Sequence, residues 1–597
     1  MSRGFKRAAR EAMATIKDCV SVAAQENAQI TRGTLLKLHS LERARLVHSQ
    51  LLESFHLDIF VLNSLVDLYA KCGSMEESSR VFHGMACHSL VSWNALLLGY
   101  AENGDEQLCL EIFSSVSERL GLESLNGRTF VAAFKACSGL AVKETGQVVS
   151  NGELAKLGAL AKGMELHSKA VSRGRIDIFV ANSLIDMYGT CGSTLDAAKV
   201  FDKMPERDVI SWTALVSAFA VNGQVEIGLL LLSKMVESGC KLDVGALVTG
   251  LKACMSLASK EAGVDVNGKL VKVVSLEKAM DLDSEALKQG SEAHVFVSNT
   301  LVDLYAKCGS LLDSRGVFDR MKLHTPISWT SLLAGYVENG ESQLSLDLFS
   351  EFLRDFQPDA QAFTAALKAC GNLANIEKLA FFHARICRCG LESEPLLANS
   401  LVDVYGRCGS IASAHHLFDC MAMTDSATWN GLFAGHSRQG KSKAVLELFH
   451  AMQEQGLKVD EISFTCVLTA CSHQGLVELG KRYFDAMLDR AKHGACTIRV
   501  EHYDCMVDLL GRGNQLEAAV ELARSMPMGA SAVTWTSVLA ASQKWRNLAV
   551  ARIAFEALER LNAKDSAAYM LMANVLNSTT KVKSILHCTR KSFQVSM

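Results

Sequence analysis

Four nearly identical stretches decide the fold of this chain. They read NSLVDLYAKCGS from Asn63, NSLIDMYGTCGS from Asn182, NTLVDLYAKCGS from Asn299 and NSLVDVYGRCGS from Asn399. Their first residues lie 119, 117 and 100 positions apart. Such self-similarity is typical of a repeat protein, in which each unit contacts its neighbours along the chain.

Two further sets of motifs recur with the same spacing. One set is centred on Trp93, Trp212, Trp329 and Trp429, and the other reads FKACSGL at Phe134, LKACMSL at Leu251, LKACGNL at Leu367 and LTACSHQGL at Leu468. A unit of about 100 residues therefore contains three sub-units of about 31, 35 and 35 residues. Insertions in the first two cycles, at 141–157 and 259–275, are expected to be surface loops, because closure entropy grows slowly with loop length.

Each sub-unit is predicted to be a pair of helices. From Ile59 to Lys71 the apolar residues recur at steps of three and four, which is the α-helical period. Gly73 suits the left-handed conformation after a helix end, and Ser74 with Glu77 has the pattern of a capping box. Since neither helix can bury its apolar face alone, the pairs must stack. The sequence predicts an all-α fold, a right-handed α-solenoid superhelix of stacked helix-turn-helix pairs.

Composition and charge narrow the function. The formal net charge is −3 and the isoelectric point about 6.6, so a nucleic-acid partner would be held more by base contacts than by bulk attraction to phosphate. No apolar run is long enough to span a bilayer, so no membrane partner is predicted. The first twenty residues are basic and alanine-rich, which predicts an organelle-targeting segment over 1–30, with a solvated N-terminal helix as the alternative.

Several residues that could suggest chemistry are better explained by packing. The repeated cysteines and tryptophans recur in register, as core residues of a repeat do. No C-x-x-C occurs, so neither a metal nor a cofactor is predicted. The segment GHSRQGKS from Gly435 matches the phosphate-loop pattern, but a predicted helix precedes it where that motif requires a strand.

The alternating short, normal and long sub-units resemble the plant pentatricopeptide-repeat proteins of the mixed-length subclass. The resemblance covers nearly the whole chain, with the repeat array at 31–531, and the Trp…Leu-Gly…Tyr pattern of tetratricopeptide repeats is absent. VEHYDCMVDLLGRGNQLEAAVELARSMP from Val500 resembles the last short repeat of that subclass. The segment 532–577 resembles its E-type C-terminal extension, whereas the tail 578–597 departs from the pattern.

The resemblance implies single-stranded RNA as the partner, bound one base per unit. In related proteins the fifth residue of each first helix and the last residue before the next unit recognise the base, since such side chains hydrogen-bond to its Watson–Crick edge. The implied pairs are Asn63 with Ser89, Asn94 with Asn126 (or Ser124), Asn182 with Asp208, Thr213 with Asp243, Asn299 with Thr325, Thr330 with Asp359, Asn399 with Asp425, and Asn430 with Asp460.

The family's rule turns these pairs into an expected target. An Asn–Asp pair favours uracil, a Thr–Asp pair guanine, and an Asn–Ser or Asn–Asn pair a pyrimidine. The long units carry Val131, Val248, Thr364 and Thr465 at the first position and are expected to discriminate poorly. The expected target is Y-Y-n-U-G-n-Y-G-n-U-U-n-n. One Asn near a helix start would be explained by capping, but eight polar pairs in one register favour a role in recognition.

The resemblance also bears on catalysis. Many relatives end in a cytidine deaminase with the zinc signature H-x-E…P-C-x-x-C, and this sequence has neither an H-x-E nor a C-x-x-C. No catalytic residue is therefore predicted. The expected function is a specificity factor for C-to-U RNA editing in a mitochondrion or chloroplast, with a deaminase-bearing partner or editing accessory proteins in trans. The alternatives are an RNA-stability or splicing factor acting by occupancy and, less favoured, a helical protein–protein scaffold.

Overall fold

The computed structural model describes residues 14–577 except 24–28, 32–33, 54–57, 149–153, 175, 267, 292–293, 422, 493–495 and 562–565. These residues are predominantly helical and divide into two compact units, Met1–His324 and Thr325–Met597. The predicted all-α fold of helix pairs is confirmed. Residues 1–13 and 24–28 of the predicted targeting segment, and the whole of the tail 578–597, lie outside the described residues.

The first unit consists of helices joined by short turns and hairpins. Its helices are α1 (14–23), α2 (Leu38–Glu53), α3 (Ile59–Lys71), α4 (Met75–His83), α5 (Leu90–Glu102), α6 (Glu106–Leu120), α7 (Gly127–Lys143), α8 (Leu157–Ser172), α9 (Ile178–Thr190), α10 (Thr194–Asp202), α11 (Val209–Val221), α12 (Val225–Glu237), α13 (Val244–Lys260), α14 (Val273–Lys288), α15 (Val295–Lys307) and α16 (Leu311–Arg320). A short 3-10 helix covers Leu122–Ser124.

The second unit continues the same alternation. Its helices are α17 (Pro326–Glu338), α18 (Ser342–Asp355), α19 (Ala360–Asn372), α20 (Ile376–Arg388), α21 (Pro395–Arg407), α22 (Ile411–Cys420), α23 (Ser426–Arg438), α24 (Ser442–Glu454), α25 (Glu461–Gln474), α26 (Val477–Lys492), α27 (Val500–Arg512), α28 (Leu516–Ser525), α29 (Ala532–Trp545), α30 (Leu548–Leu561) and α31 (566–577).

Within each unit the first helices of successive sub-units lie side by side. In the first unit α3, α5, α7, α9, α11, α13 and α15 contact one another in that order, and in the second α17, α19, α21, α23, α25, α27 and α29 do so. Each second helix packs against the first helix of its own pair. The core therefore runs between stacked helix pairs, as in a solenoid.

The local prediction for the first sub-unit is largely confirmed. Helix α3 has the predicted bounds, and Gly73 has the left-handed conformation expected after it, with φ of +87°. The predicted capping box is wrong. Ser74 makes no side-chain cap bond, because its ψ of 80° lies outside the extended region usual for an N-cap, and Glu77 accepts a hydrogen bond from Arg45 of α2 instead.

The repeated tryptophans and cysteines pack in the interior, as predicted. Trp212 and Trp429 are buried and meet the rings of Phe201 and Phe418 edge-on, with centroids 4.7 and 4.8 Å apart. Burial raises the pKa of the Cys137 thiol to about 12, so this cysteine stays protonated and unreactive at neutral pH. These repeated residues hold neighbouring helices together.

The two insertions form β-hairpins rather than the expected loops. Antiparallel pairs join β3 (Gln147–Val148) to β4 (Leu154–Ala155) and β5 (Val264–Val266) to β6 (Lys269–Val271). The backbone N–H groups of Lys156 and Lys272, just after the hairpins, donate to the carbonyls of Cys191 and Cys308 in the next sub-unit. Each insertion is thus attached to the turn of the following helix pair.

A third hairpin, which the sequence analysis did not anticipate, precedes α2. It pairs β1 (Gln29–Thr31) with β2 (Thr34–Leu36), and the following Lys37 N–H donates to the carbonyl of Cys72. Helix α1 before it buries Ile16 and Cys19 in a cluster with Leu41 of α2. Residues 14–23, within the predicted targeting segment, therefore pack as part of the array.

The phosphate-loop match has no phosphate-loop structure. Gly435 lies inside α23, and Gly440, with φ of +70°, forms the turn between α23 and α24. The segment therefore joins two helices of one pair. Among the residues described, no helix is both long and apolar enough to cross a membrane.

Candidate nucleic-acid interface

The first members of the implied pairs occupy one position in the fold. Each is the fifth residue of a first helix: Asn63, Asn94, Asn182, Thr213, Asn299, Thr330, Asn399 and Asn430. Val131, Val248, Thr364 and Thr465 of the long sub-units hold the same position. Capping therefore does not explain these asparagines, because they lie inside their helices, one turn from the N-terminus.

The second members are the helix caps. Each second member immediately precedes a first helix, and its side chain accepts a hydrogen bond from the backbone N–H of the third residue of that helix. These cap residues are Ser89, Asn126, Asp208, Asp243, Thr325, Asp359, Asp425 and Asp460. An N-cap of this kind stabilises a helix by about 1 kcal/mol. These residues consequently have a structural role whether or not they contact a ligand.

Four pairs are joined directly by side-chain hydrogen bonds. The amide Nδ2 of the fifth residue donates to the cap side chain at 3.1 Å in Asn94–Asn126, 3.3 Å in Asn182–Asp208, 3.2 Å in Asn399–Asp425 and 3.0 Å in Asn430–Asp460. The structure thus pairs Asn94 with Asn126, whereas Ser124 lies in the preceding 3-10 helix and donates to Leu120.

The two threonine–aspartate pairs are arranged differently. The hydroxyls of Thr213 and Thr330 donate to the backbone carbonyls of Val209 and Pro326, one turn back in the same helix. Asp243 and Asp359 cap their own helices by accepting from the N–H groups of Ala246 and Ala362. The threonine hydroxyl uses its proton in this bond but keeps its lone pairs available to accept hydrogen bonds. At this position the threonine units therefore offer acceptors to a ligand, whereas the asparagine units offer an amide.

Hydrogen bonding lowers the pKa of two of the cap carboxylates, Asp208 and Asp425. Burial by itself raises the pKa of Asp208, but the backbone N–H and hydroxyl of Ser211 and the amide of Asn182 outweigh it, and the pKa is lowered. Asp425 has a lowered pKa for the same reason, with Thr428 and Asn399 as donors. At neutral pH these groups act only as acceptors.

A row of apolar side chains beside the pairs was missed by the sequence analysis. In each unit it is formed by the second residues of first helices, each between 48% and 70% exposed: Phe60, Val91, Phe179, Ile210 and Phe296 in the first unit, and Ile327, Leu396, Ile462 and Val533 in the second. The helical period places this position one turn before the fifth residue, so the pattern was visible in the sequence. Exposed aromatic and branched side chains in a row offer flat surfaces to stacked bases.

The same helix face carries charges that largely neutralise one another. The ninth and thirteenth residues of several first helices form ion pairs, Asp67–Lys71, Asp303–Lys307, Asp403–Arg407 and Asp508–Arg512. In α9 the thirteenth residue is Thr190, and burial raises the pKa of the ninth, Asp186. This face therefore has little net positive charge with which to attract phosphates.

Stacked helix pairs with a polar pair in each short and normal sub-unit, beside exposed apolar residues, define a modular repeat protein. Comparison with known proteins names the class. The model of the PPR repeat matches residues 60–90, 91–119, 179–209, 210–240, 296–324, 327–355, 397–423 and 462–490, and that of the PPR repeat family matches 424–473. The chain belongs to the pentatricopeptide-repeat family.

Two relatives from Arabidopsis thaliana illustrate the similarity. One pentatricopeptide repeat-containing protein is 32% identical over 88% of this chain and 81% of its own length. Another, named as chloroplastic, is 30% identical over 89% of this chain, which spans 62% of that relative's length. Members of this family are typically non-enzymatic binding proteins, which agrees with the class predicted for this chain.

Among solved structures, the chain is similar to the maize pentatricopeptide repeat protein PPR10. The match is 16% identical, covers 90% of this chain and 78% of that one, and has a TM-score of 0.48. PPR10 has also been solved in complex with an 18-nucleotide psaJ RNA element, with a TM-score of 0.42 to this chain.

Proposed function

We propose that this protein binds single-stranded RNA sequence-specifically, recognising about one base per sub-unit. The observation that carries the proposal is the repeated contact between the fifth residue of one first helix and the cap of the next, best seen in Asn430 and Asp460. A pair at the same position of each short and normal sub-unit provides a separate polar site for each of the bases that these sub-units face.

The neighbouring apolar row supports the same ligand. A side chain such as Phe179, which is 70% exposed, contributes about 1–3 kcal/mol when a base stacks on it. Because cations at the thirteenth position, such as Lys71, Lys307, Arg407 and Arg512, are paired with aspartates, affinity comes chiefly from stacking and base edges. A protein-binding scaffold would have no reason to limit the fifth residue of the short and normal sub-units to Asn and Thr.

We further propose an organellar role as a specificity factor for C-to-U editing. Relatives named as chloroplastic and mitochondrial support an organelle. The mixed lengths of the sub-units and the similarity of 532–577 to an E-type extension, with helices α29 to α31, support editing. A deaminase supplied in trans would then act on a cytidine just 3′ of the bound segment.

Sequencing of organelle transcripts tests this role. Plants lacking the protein should leave a specific cytidine unedited, in a transcript whose sequence upstream of that site fits the predicted target. Reintroducing the protein should restore editing, and a variant in which Asn399 and Asn430 are changed to Val should not. A lost or unspliced transcript with normal editing would instead show that the protein acts by occupying its RNA.

A further inference from the structure

A third polar side chain completes each of the four hydrogen-bonded pairs. It is the hydroxyl of the third residue of the following first helix, which donates to the Oδ1 atom of the asparagine. The contacts are Thr129 to Asn94 at 2.7 Å, Ser211 to Asn182 at 2.7 Å, Thr428 to Asn399 at 2.6 Å and Ser463 to Asn430 at 2.8 Å. All four hydroxyl-bearing residues are fully buried, so they cannot themselves contact a ligand.

This hydroxyl is present where the fifth residue is Asn and absent where it is Thr. After Thr213 the third residue of α13 is Ala246, and after Thr330 the third residue of α19 is Ala362. A threonine has no amide group, so a buried hydroxyl beside it would have no amide oxygen to which it could donate. The association within one chain suggests that the hydroxyl serves the asparagine rather than the helix start.

The network determines which way the amide faces. In the fourth pair, Asp460 can only accept and therefore holds the Nδ2 of Asn430, while the Ser463 hydroxyl donates to Oδ1. The same hydroxyl also lies 2.9 Å from Asp460 Oδ1; its single proton is donated to one oxygen at a time, and Asn430 Oδ1 is the nearer of the two. One amide N–H and one lone pair of Oδ1 remain for a ligand.

The orientation of the amide decides between two pyrimidines. Uracil presents an acceptor at O4 and a donor at N3, whereas cytosine presents a donor at N4 and an acceptor at N3. Rotating an amide by half a turn exchanges its donor and acceptor, and so exchanges the pyrimidine it fits. We propose that the buried hydroxyl is a positioning residue that fixes the asparagine amide and thereby discriminates uracil from cytosine. This inference rests on the proposed RNA binding.

The first pair offers a contrast inside the same chain. Ser92 is the third residue of α5, but its hydroxyl lies 3.0 Å from that of Ser89, its partner in a capping box. Among the described residues, Asn63 Oδ1 is buried without a hydrogen-bond partner. We therefore expect the unit of Asn63 to separate uracil from cytosine less well than that of Asn430.

Ser463 is the best residue for a test, because α25 starts without a reciprocal capping box that its removal would break. Binding of the full chain is measured to RNAs that carry U or C at the base facing Asn430. Ser463→Ala should lower the ratio of the two affinities by about fivefold, as expected for one hydrogen bond. Ser463→Thr should preserve the ratio, and in Ser463→Ala the ratio at the base facing Asn399 should not change.

A second experiment introduces the asparagine and the hydroxyl into a unit that lacks both. Thr213→Asn combined with Ala246→Ser should recognise uracil with a larger preference over cytosine than Thr213→Asn alone. If the unaltered protein binds no RNA, the proposed function and this inference both fail. If it binds and discriminates, but Ser463→Ala keeps the ratio or weakens both RNAs equally, the positioning role alone is overturned.

Discussion

Gly192, in the turn between α9 and α10, lies directly against Leu154 in strand β4 of the first insertion's hairpin. A Cβ atom on Gly192 would be only 2.2 Å from the carbonyl oxygen of Leu154. Gly309 stands in the same relation to Leu270 of the next hairpin, at 2.4 Å. Gly409 occupies the equivalent turn where there is no insertion, and nothing lies within 4 Å of the corresponding Cβ position.

These three glycines make a matched set for a stability experiment. All have φ between +84° and +89°, so alanine at any of them costs about 1–2 kcal/mol in backbone strain. Gly192→Ala and Gly309→Ala must also displace hairpin backbone, and we expect each to lower the free energy of unfolding by about 3 kcal/mol or more. Urea unfolding of the variants checks this. Equal losses at Gly192 and Gly409 would show that the hairpin does not press on the turn.

Removing an aromatic side chain from the apolar row should weaken RNA binding regardless of sequence. Phe179→Ala is expected to reduce affinity about tenfold, because the stacking contribution of one side chain is lost while the polar pairs remain. Leu230→Ala on α12, which removes an exposed apolar side chain from a second helix, is the control and should leave affinity unchanged. A similar loss in both variants, measured by fluorescence anisotropy, would argue against stacking on this row.

Replacing two cap aspartates should change which base is preferred. Asp425→Ser and Asp460→Ser remove the carboxylates that hold the Nδ2 atoms of Asn399 and Asn430, and the preference at both bases should move from uracil toward cytosine. A gel-shift series with U or C at the two positions measures this. Asp489→Ser on the exposed face of α26 serves as the control. An unchanged preference in the double variant would contradict the assigned register.

Salt should affect RNA binding less than it affects a basic nucleic-acid-binding protein. Proteins that neutralise six to ten phosphates lose about 10³–10⁵ in affinity between 50 and 200 mM salt. Here the cations at the thirteenth position are mostly paired with aspartates, as Lys71 is with Asp67. We expect a loss of less than about 100-fold over the same range. A steeper fall in affinity with salt concentration would show that phosphate contacts provide most of the binding energy.

Acidification should destabilise the protein through three half-buried histidines. His48, His167 and His383 each share a hydrogen bond with a tyrosine hydroxyl, at 2.9, 2.8 and 3.0 Å, and burial lowers the pKa of each. A histidine with a lowered pKa in the folded state contributes stability that is present above its unfolded pKa of about 6.5. That stability is lost as pH falls through the folded pKa.

The melting temperature should therefore be lower at pH 5.5 than at pH 7.5. A variant with His48, His167 and His383 changed to Gln should show a smaller difference between the two pH values. If acidification stabilises the protein, or if the triple variant responds as strongly as the unaltered chain, these histidines do not control the response.

The features of the fold that depend on local sequence pattern, such as helix bounds and turns, could be predicted from the sequence. The bounds of α3 and the left-handed Gly73 followed from helical periodicity and from the conformational freedom of glycine. The hairpins could also have been predicted, because both insertions contain an Asn-Gly pair, at 151–152 and 267–268, which is a strong hairpin signal. The contact from Ser463 to Asn430 could not, since it joins helices whose spacing only the packed structure defines.

In vitro selection of RNA on the full chain tests the central claim most directly. A library of random single-stranded RNA should yield sequences that fit Y-Y-n-U-G-n-Y-G-n-U-U, with strong enrichment of U at the two bases facing Asn399 and Asn430. A parallel selection on Asn399→Val, Asn430→Val should lose enrichment at those two bases and keep it elsewhere. Absence of any enriched sequence, or enrichment that the double variant leaves unchanged, would contradict base recognition by these pairs.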